Sequence, residues 1–587
     1  MQLDSLDWAL VIAYFSIVVF FGLMYARRAG KSLTEFFVSG RSLPWWMLGT
    51  SMVATTFSTD TPNLVTDIVR KNGVAGNWTW WAFLITGMGT VFLYSRLWRR
   101  SEVLTDVGFY ELRYSGRGAR FLRGFRAVYL GLFFNIIIMA SVTLAAIKIS
   151  GVLLGVDKYT TVIVCGVITA AYSATSGWWG VVATDCILFV LAMAGSVTAA
   201  FYALQHPEVG GLAGLLTHEA VLEKTSFLPD FSDWNTALVV LIIPLAVQWW
   251  STWYPGAEPG GGSYIAQRML AARDERHSLL ATLWFNVAHY GLRPWPWLIV
   301  ALCSLVVFPD LDSLRQAFPH LDPSILQDDI AYPAMLTFLP HGLLGLVVAS
   351  LAAAYMSTIS TQVNLGASYL VNDLYRRFLK PEASDRHYVL IARLVTVSLV
   401  VLAGLVSFWL ENALQAFNIL LQIGAGTGLV FLLRWFWWRV NAWSEISGMV
   451  ASFSVAIYFE FVHDSLGLVP IAPQWQLVTG VLVTTICWVS VTLMTPPCDH
   501  ATLERFVLKV RPFSRGWKPV LGDRKIATSS LSAAILSWFA GVAGVYSALF
   551  GTGFLLYDNL LPAALLFTVF ALSAGLLWKL LPQTADQ

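Results

Sequence analysis

The sequence predicts an all-α polytopic membrane protein with two five-helix blocks, the second inverted relative to the first, and further helices at both ends. Three observations carry this. The 587-residue chain is 57% apolar and 12% charged, with a mean hydropathy of +0.65, whereas a soluble domain carries about a quarter charged residues. Runs of about 20 apolar residues, enough for a helix to cross a bilayer, recur along almost the whole chain. A membrane β-barrel would show short alternating segments instead. Finally, two of the apolar runs are interrupted, five helices apart, in a way that plain anchors are not.

Taken in order, fifteen spans are expected at roughly 7–26, 45–69, 77–98, 124–154, 158–176, 178–204, 234–264, 278–308, 337–370, 387–410, 413–438, 443–464, 474–495, 529–552 and 556–581. The first is too long, and too well followed by others, for a cleaved signal peptide. This divides the chain into an N-terminal helix and inner loop (1–44), a first five-helix repeat (45–204), an outer loop (205–233) and a second repeat (234–438). Four additional helices follow (439–587), with a basic loop at 496–528. Most of the 37 Lys and Arg fall in loops on one face; Arg70, Lys71, Lys158, Lys224 and Arg315 lie on the other. By the positive-inside rule the N-terminus is outside and the C-terminus cytoplasmic. Arg268 is counted with the inside loop residues on this reading.

Other classes are poorly served. Of Cys165, Cys186, Cys303, Cys487 and Cys498, four lie within spans and none forms a CxxC pair, so neither a disulfide framework nor a metal site is indicated. No phosphate loop, HExxH or GxSxG motif argues for an enzyme. A net charge of +2 says little about partners.

The first interrupted span reads WWMLGTSMVATTFSTDTPNLVTDIV, where Thr55 to Asn63 break the apolar run and Pro62 removes a backbone donor. The other, LIIPLAVQWWSTWYPGAEPGGGSYIAQR, contains Pro255, Pro259 and three consecutive glycines. Backbone freed at membrane depth must be satisfied by protein, water or an ion, and interruptions at matching positions of two halves point to a transporter binding site. An odd number of helices per block makes the second block inverted.

The ninth span holds Ser357, Thr358, Ser360 and Thr361, preceded by small residues that let a neighbouring backbone approach. At 3.6 residues per turn Ser357 and Thr361 share a face, with Ser360 beside them. Such hydroxyls are hard ligands for a small dehydrated cation, or they bond back to carbonyls of the preceding turn. Intramembrane charge marks further candidates: Asp185, Asp60, Asp67, Glu258, Lys148, His289 and Arg293. The bases among them either contact solute or neutralise an acid. Trp residues at 78–81 and 249–254 offer a stacking face or an interfacial belt.

The strings FFVSGRSLPWWMLGTSMVATTFS, GWWGVVATD, IAQRMLAARDERHS and the hydroxyl-rich helix ending NDLY resemble the sodium:solute symporter family. The resemblance spans roughly residues 30–440 and implies a leucine-transporter-like, five-plus-five inverted repeat. Carried over, it implies a sodium site of main-chain carbonyls of Ala54, Phe57 and Ala354 with the side chains of Ser357 and Thr358. Asp185, Ser360 and Thr361 fall where some members hold a second sodium ion. Thr56, Ser58, Asp60 and Thr61 are expected to face the solute. Trp80 stands where sugar-carrying relatives have an acid, and His289 where they have a lysine. Glu258 lies in the segment expected to hold an aromatic gate, and Gln422 on a helix expected to line the cavity.

The resemblance thus implies a sodium-coupled symporter importing a small organic solute by alternating access, a sugar or sugar acid being favoured over an amino acid or other carboxylate. Sodium is the coupling ion and no cofactor is expected; a monomer suffices for transport. The implied location is a bacterial inner membrane. A proton-coupled carrier of the same fold stays open through Asp60 or Asp185. A transport-inactive sensor is disfavoured by the lack of a signalling domain.

Overall fold

A computed structural model of the chain describes residues 3–29, 41–251, 259–410, 424, 426–524 and 530–585. Among them the regular structure is helical, apart from one isolated parallel bridge between Leu43 and Ala272. Among the described residues eight helices are long and apolar enough to cross a membrane, and three shorter ones (Ser5–Val18, Trp234–Trp250, Ala442–Ile457) are also apolar. Several of the fifteen expected spans are assembled from pieces. The third, for example, joins Trp78–Trp81, Phe83–Gly89 and Ser95–Ser101 through a π-wound turn at Thr90–Tyr94.

The expected spans 158–176 and 178–204 form one helix, Lys158–Leu204, of 47 residues. A straight helix of that length would run about 70 Å, twice a bilayer core. It is not straight: Tyr172 Oη and Thr184 Oγ1 lie 2.7 Å apart, which requires a sharp bend between them. The two expected spans are the arms of that bend.

Both interruptions have a local cause. Helix Trp45–Thr56 ends because Phe57 leaves helical geometry (φ −89°, ψ 77°), and the chain resumes as Asp60–Asn72. Pro62 sits in the first turn of the new helix, where its missing N–H is not needed. In the other, Ser263–Ala271 follows Gly260 and Gly261, at φ +84° and +88°. A Cβ at Gly260 would press on the Tyr94 ring, and one at Gly261 would lie 2.5 Å from Met269 Cε, so only glycine fits there. The bridge ties the two interrupted elements together: Leu43 N bonds Ala271 O (3.4 Å) and Arg273 N bonds Leu43 O (3.2 Å).

The hydroxyl helix, Leu343–Ser368, continues as a π-wound segment to Leu379. Its exposed amides are capped from afar. Asp7 of the first helix, Ser5–Ala29, accepts from Gly342 N and Gly345 N at 2.7 Å each, placing a carboxylate at a helix N-terminus. At the other end of the chain, Leu531–Leu556 docks on the core through Trp538 Nε1 to Ile85 O (2.6 Å), Tyr546 Oη to Trp81 O (2.8 Å) and Trp295 Nε1 to Leu549 O (2.9 Å). Beside two small clusters, two large apolar cores result among the described residues. One includes Met52, Val53 and Ala353; the other includes Phe57 and Ala354. The broken helix and the hydroxyl helix therefore cross the seam between them.

Candidate functional site

At that seam lies a buried ionic cluster. The Asp185 carboxylate accepts from Ser357 Oγ (2.6 Å) and from Ser51 Oγ, with Arg268 Nη2 at 3.4 Å. Arg268 has every guanidinium nitrogen engaged: Nε with Ser51 Oγ (3.0 Å), Nη1 with Tyr264 O (3.2 Å), Nη2 with Thr55 Oγ1 and Thr361 Oγ1 (3.2 Å). Its plane lies over the Trp178 ring at 4.7 Å. Arg268 and Asp185 are both wholly buried, so each needs the other.

Arg268 is thus not a loop cation, as the positive-inside count takes it; it projects from the short helix Ser263–Ala271 into the protein. The one sign of this in the sequence is its position inside the apolar string YIAQRML.

The hydroxyl helix meets the broken helix directly. Thr358 Oγ1 donates to Thr55 O (2.8 Å), and Thr55 and Thr361 share a hydroxyl–hydroxyl contact of 3.1 Å. Of the four hydroxyls, Ser360 bonds back within its own helix, to Ser357 O (3.1 Å). Ser357 and Thr358 each give their proton away, which leaves oxygen lone pairs for a cation. The Ala54 carbonyl accepts from Phe57 N at 3.1 Å, and Phe57 is the residue at which helical bonding stops. Ala354 lies on the hydroxyl helix one turn before Thr358. These are neutral, hard oxygens on two touching elements, a donor set that suits a monovalent hard cation.

A second cluster faces the half-open side of the break. Thr56, Asp60 and Thr61 are partly exposed, and Ser58 is buried. Thr56 Oγ1 lies 3.1 Å from His289 Nδ1 and accepts from Arg293 Nη1 (3.1 Å); Arg293 Nη2 is 3.2 Å from His289 Nε2. Trp80 stands edge-on to His289 with centroids 5.8 Å apart and stacks on Tyr290. Asp60 accepts from Ser141 Oγ at 3.3 Å. Arg293 lies over Trp297 at 5.2 Å, its Nε has no hydrogen-bond partner, and it makes no ion pair among the described residues. By contrast Lys148 is held by both Asp329 oxygens at 2.8 and 2.7 Å, a buried structural pair.

Sequence reasoning therefore names residues that the fold brings together in two groups: Asp185, Ser357 and Thr361 in one, Thr56, Trp80 and His289 in the other. It misses Ser51, Thr55 and Ser141 as partners. Glu258 and Gln422 lie outside the described residues. Of the tryptophans near the second break, Trp249 packs on Trp538 (6.0 Å) rather than on either cluster.

The chain is similar to known proteins. The chain is 26% identical over 509 residues to a sodium/mannose cotransporter of Bos taurus, covering 79% of this chain and 81% of that protein. It is 26% identical over 489 residues to a sodium/glucose cotransporter of Vibrio parahaemolyticus, covering 79% and 87%. Its fold matches the outward-open state of a Na+-coupled sialic acid symporter with a TM-score of 0.69 at 21% identity, over 84% of this chain and 99% of that one. Residues 36–452, with both interrupted helices and the hydroxyl helix inside them, match the model of the sodium:solute symporter family, and the chain belongs to that family of membrane transporters.

Proposed function

We propose that this symporter couples sodium entry to uptake of a small carboxylated sugar or similar hydroxylated acid, and that Arg293 selects the carboxylate. The supporting observation is a buried guanidinium with an unbonded Nε and no carboxylate within ion-pair range among the described residues, set among Thr56, His289 and Trp80. Sugar hydroxyls would meet Asp60, Thr56 and Thr61, and a ring face would meet Trp80. The sugar cotransporters among its relatives support a hydroxylated solute.

Sodium is placed by this reading among the Ala54, Phe57 and Ala354 carbonyls and the Ser357 and Thr358 hydroxyls. One ion per cycle follows, because Arg268 already supplies the positive charge beside Asp185 and Thr361. The ion joins the broken helix to the hydroxyl helix and so orders Thr56 to Thr61 for solute. Each must then raise the other's affinity by the same factor. Moving one charge across 100 mV contributes about 2.3 kcal/mol to accumulation. The basic face is taken as cytoplasmic, in a bacterial inner membrane.

Uptake into proteoliposomes under an inward Na+ gradient, against K+, tests this with matched neutral sugars and sugar acids. Sodium-dependent uptake of the acids, lost in Arg293→Gln, is expected. Equal uptake in both salts would move the coupling to protons, for which the half-exposed Asp60 is the group at hand. Uptake of neutral sugars alone would remove the carboxylate from the reading.

A further inference from the structure

The face rich in Lys and Arg holds a cleft of about 410 Å³, lined by none of the residues assigned to transport. Three parts of the chain form it: the end of Ser95–Ser101, the turn after Ser263–Ala271, and the helix His500–Val510. Its cations are Arg99, Arg100, Arg273, Lys509 and Arg511, against three carboxylates.

Two of the three carboxylates are paired with cations of the cleft. Glu275 pairs with Arg100 at 2.8 Å, and Glu102 with Lys509 at 3.3 Å. Asp274 caps the next helix by accepting from His277 N (2.8 Å), and lies 3.0 Å from the His277 ring. Three guanidiniums remain beside Asp274, a net of two positive charges. Arg99 is anchored on neutral acceptors, the carbonyls of Ala272 (2.8 Å) and Arg273 (3.2 Å). Arg273 and Arg511 are exposed and have no side-chain hydrogen bond or ion pair among the described residues. Arg511 is nonetheless tied to the cleft, since its carbonyl accepts from Arg100 Nη1 at 3.4 Å.

Three guanidiniums around one concavity, opposed only by Asp274, leave a net positive field focused into it. Chloride would screen them, but guanidinium forks match the geometry of phosphate oxygens, two bonds at a time. We propose that this cleft is a binding site for a phosphate-bearing anion, either a soluble phosphate or a phosphomonoester lipid headgroup, held by Arg99, Arg273 and Arg511. Its occupant would fasten the turn at 271–273 to the C-terminal helix His500–Val510. That turn is the one bonded to Leu43 at the start of the first broken helix, so the anion bears on both interrupted elements.

Thermal unfolding of the full-length protein in phosphatidylcholine nanodiscs tests this, titrated with potassium pyrophosphate at fixed Na+ and constant ionic strength. A parallel arm uses nanodiscs containing phosphatidic acid without added pyrophosphate. A saturable rise in melting temperature is expected in at least one arm; pyrophosphate alone identifies a soluble ligand, phosphatidic acid alone a lipid. Arg273→Gln and Arg511→Gln should each weaken the effect about tenfold in ligand concentration, the loss of a charge-assisted bond. Arg505→Gln, on the same helix but outside the cleft, should leave it unchanged. Unaltered melting without anion shows that the variants fold, and Arg273→Lys, which keeps the charge but loses the fork, serves if Arg273→Gln does not. The proposal is overturned if neither arm shows a rise, or if the Arg273→Gln/Arg511→Gln double variant keeps it undiminished.

Discussion

Arg268 and Arg293 invite comparison because so much about them is the same. Both are buried and both lie over a tryptophan ring, at 4.7 and 5.2 Å. Both also reach the first broken helix, through Thr55 and Thr56 respectively. They differ in completeness. All three nitrogens of Arg268 are bonded and its charge is balanced by Asp185, whereas Arg293 has an unpartnered Nε and no carboxylate within ion-pair range among the described residues. A buried charge left uncompensated costs several kcal/mol. A closed cluster therefore reads as part of the scaffold, and an open one as a place where a charged ligand arrives and leaves.

The largest effect should come from breaking the closed cluster. Asp185→Ala strands Arg268 and takes the acceptor from Ser357, at an expected cost of roughly 3–5 kcal/mol in stability. A large fall in melting temperature should follow, and the double change Asp185→Leu with Arg268→Met should recover most of it. If Asp185→Ala melts like the parent, the cluster is not the scaffold element described here.

The open cluster should respond differently. Arg293→Gln removes a charge that no described carboxylate contacts within ion-pair range, Asp60 acting on it only from farther off, so the fold is expected to lose little stability. Uptake efficiency for a carboxylated solute should nevertheless drop by about thirtyfold or more, the effect of deleting one partner of a buried charge pair. A variant that loses stability and transport together would make Arg293 a second Arg268 and erase the distinction.

The hydroxyls proposed to hold sodium should separate by what else they hold. Thr358→Ala loses one ligand and a bond to Thr55 O, so the Na+ concentration for half-maximal uptake should rise about tenfold. Ser357→Ala removes in addition a donor to Asp185, and should lower thermal stability as well. Equal Na+ dependence in Thr358→Ala and the parent would take that hydroxyl out of the coupling site.

How much of this was legible beforehand follows from how local each feature is. The interrupted helices declare themselves through Pro62, Gly260, Gly261 and the hydroxyl run, because backbone chemistry breaks a helix at the residues that carry it. The resemblance to the symporter family adds Thr56, Trp80 and His289 as separate solute-site candidates; their contacts with one another come from the fold. Arg268 is not legible, because its partners Ser51, Asp185 and Thr361 come from three distant segments and only folding assembles them. The role of Asp7 is hidden for the same reason: nothing in the first helix announces that it caps Gly342 and Gly345. The bend in Lys158–Leu204, by contrast, is legible as the break between the apolar runs 158–176 and 178–204, although not that the helix is continuous through it.

A third ionic group, half in water, sets the lower end of the scale. On the basic face Glu111 accepts from Arg123 Nη1 (2.5 Å) and Arg377 Nη2 (3.0 Å), joining Phe109–Arg113 to the end of the hydroxyl helix. Partial burial alone would raise its carboxyl, but the two guanidiniums outweigh that and hold it below the ordinary 4.5. A carboxyl depressed on folding stabilises fully above its unfolded value, and the contribution is lost as pH falls through the lower folded value. Solvent screening keeps the amount under about 1 kcal/mol. Glu111→Gln should therefore melt slightly below the parent at pH 7, and the gap should close as pH is lowered past 4.5. A gap as wide as that of Asp185→Ala, or one that does not narrow in acid, would mean that burial is not what distinguishes the ionic groups of this transporter.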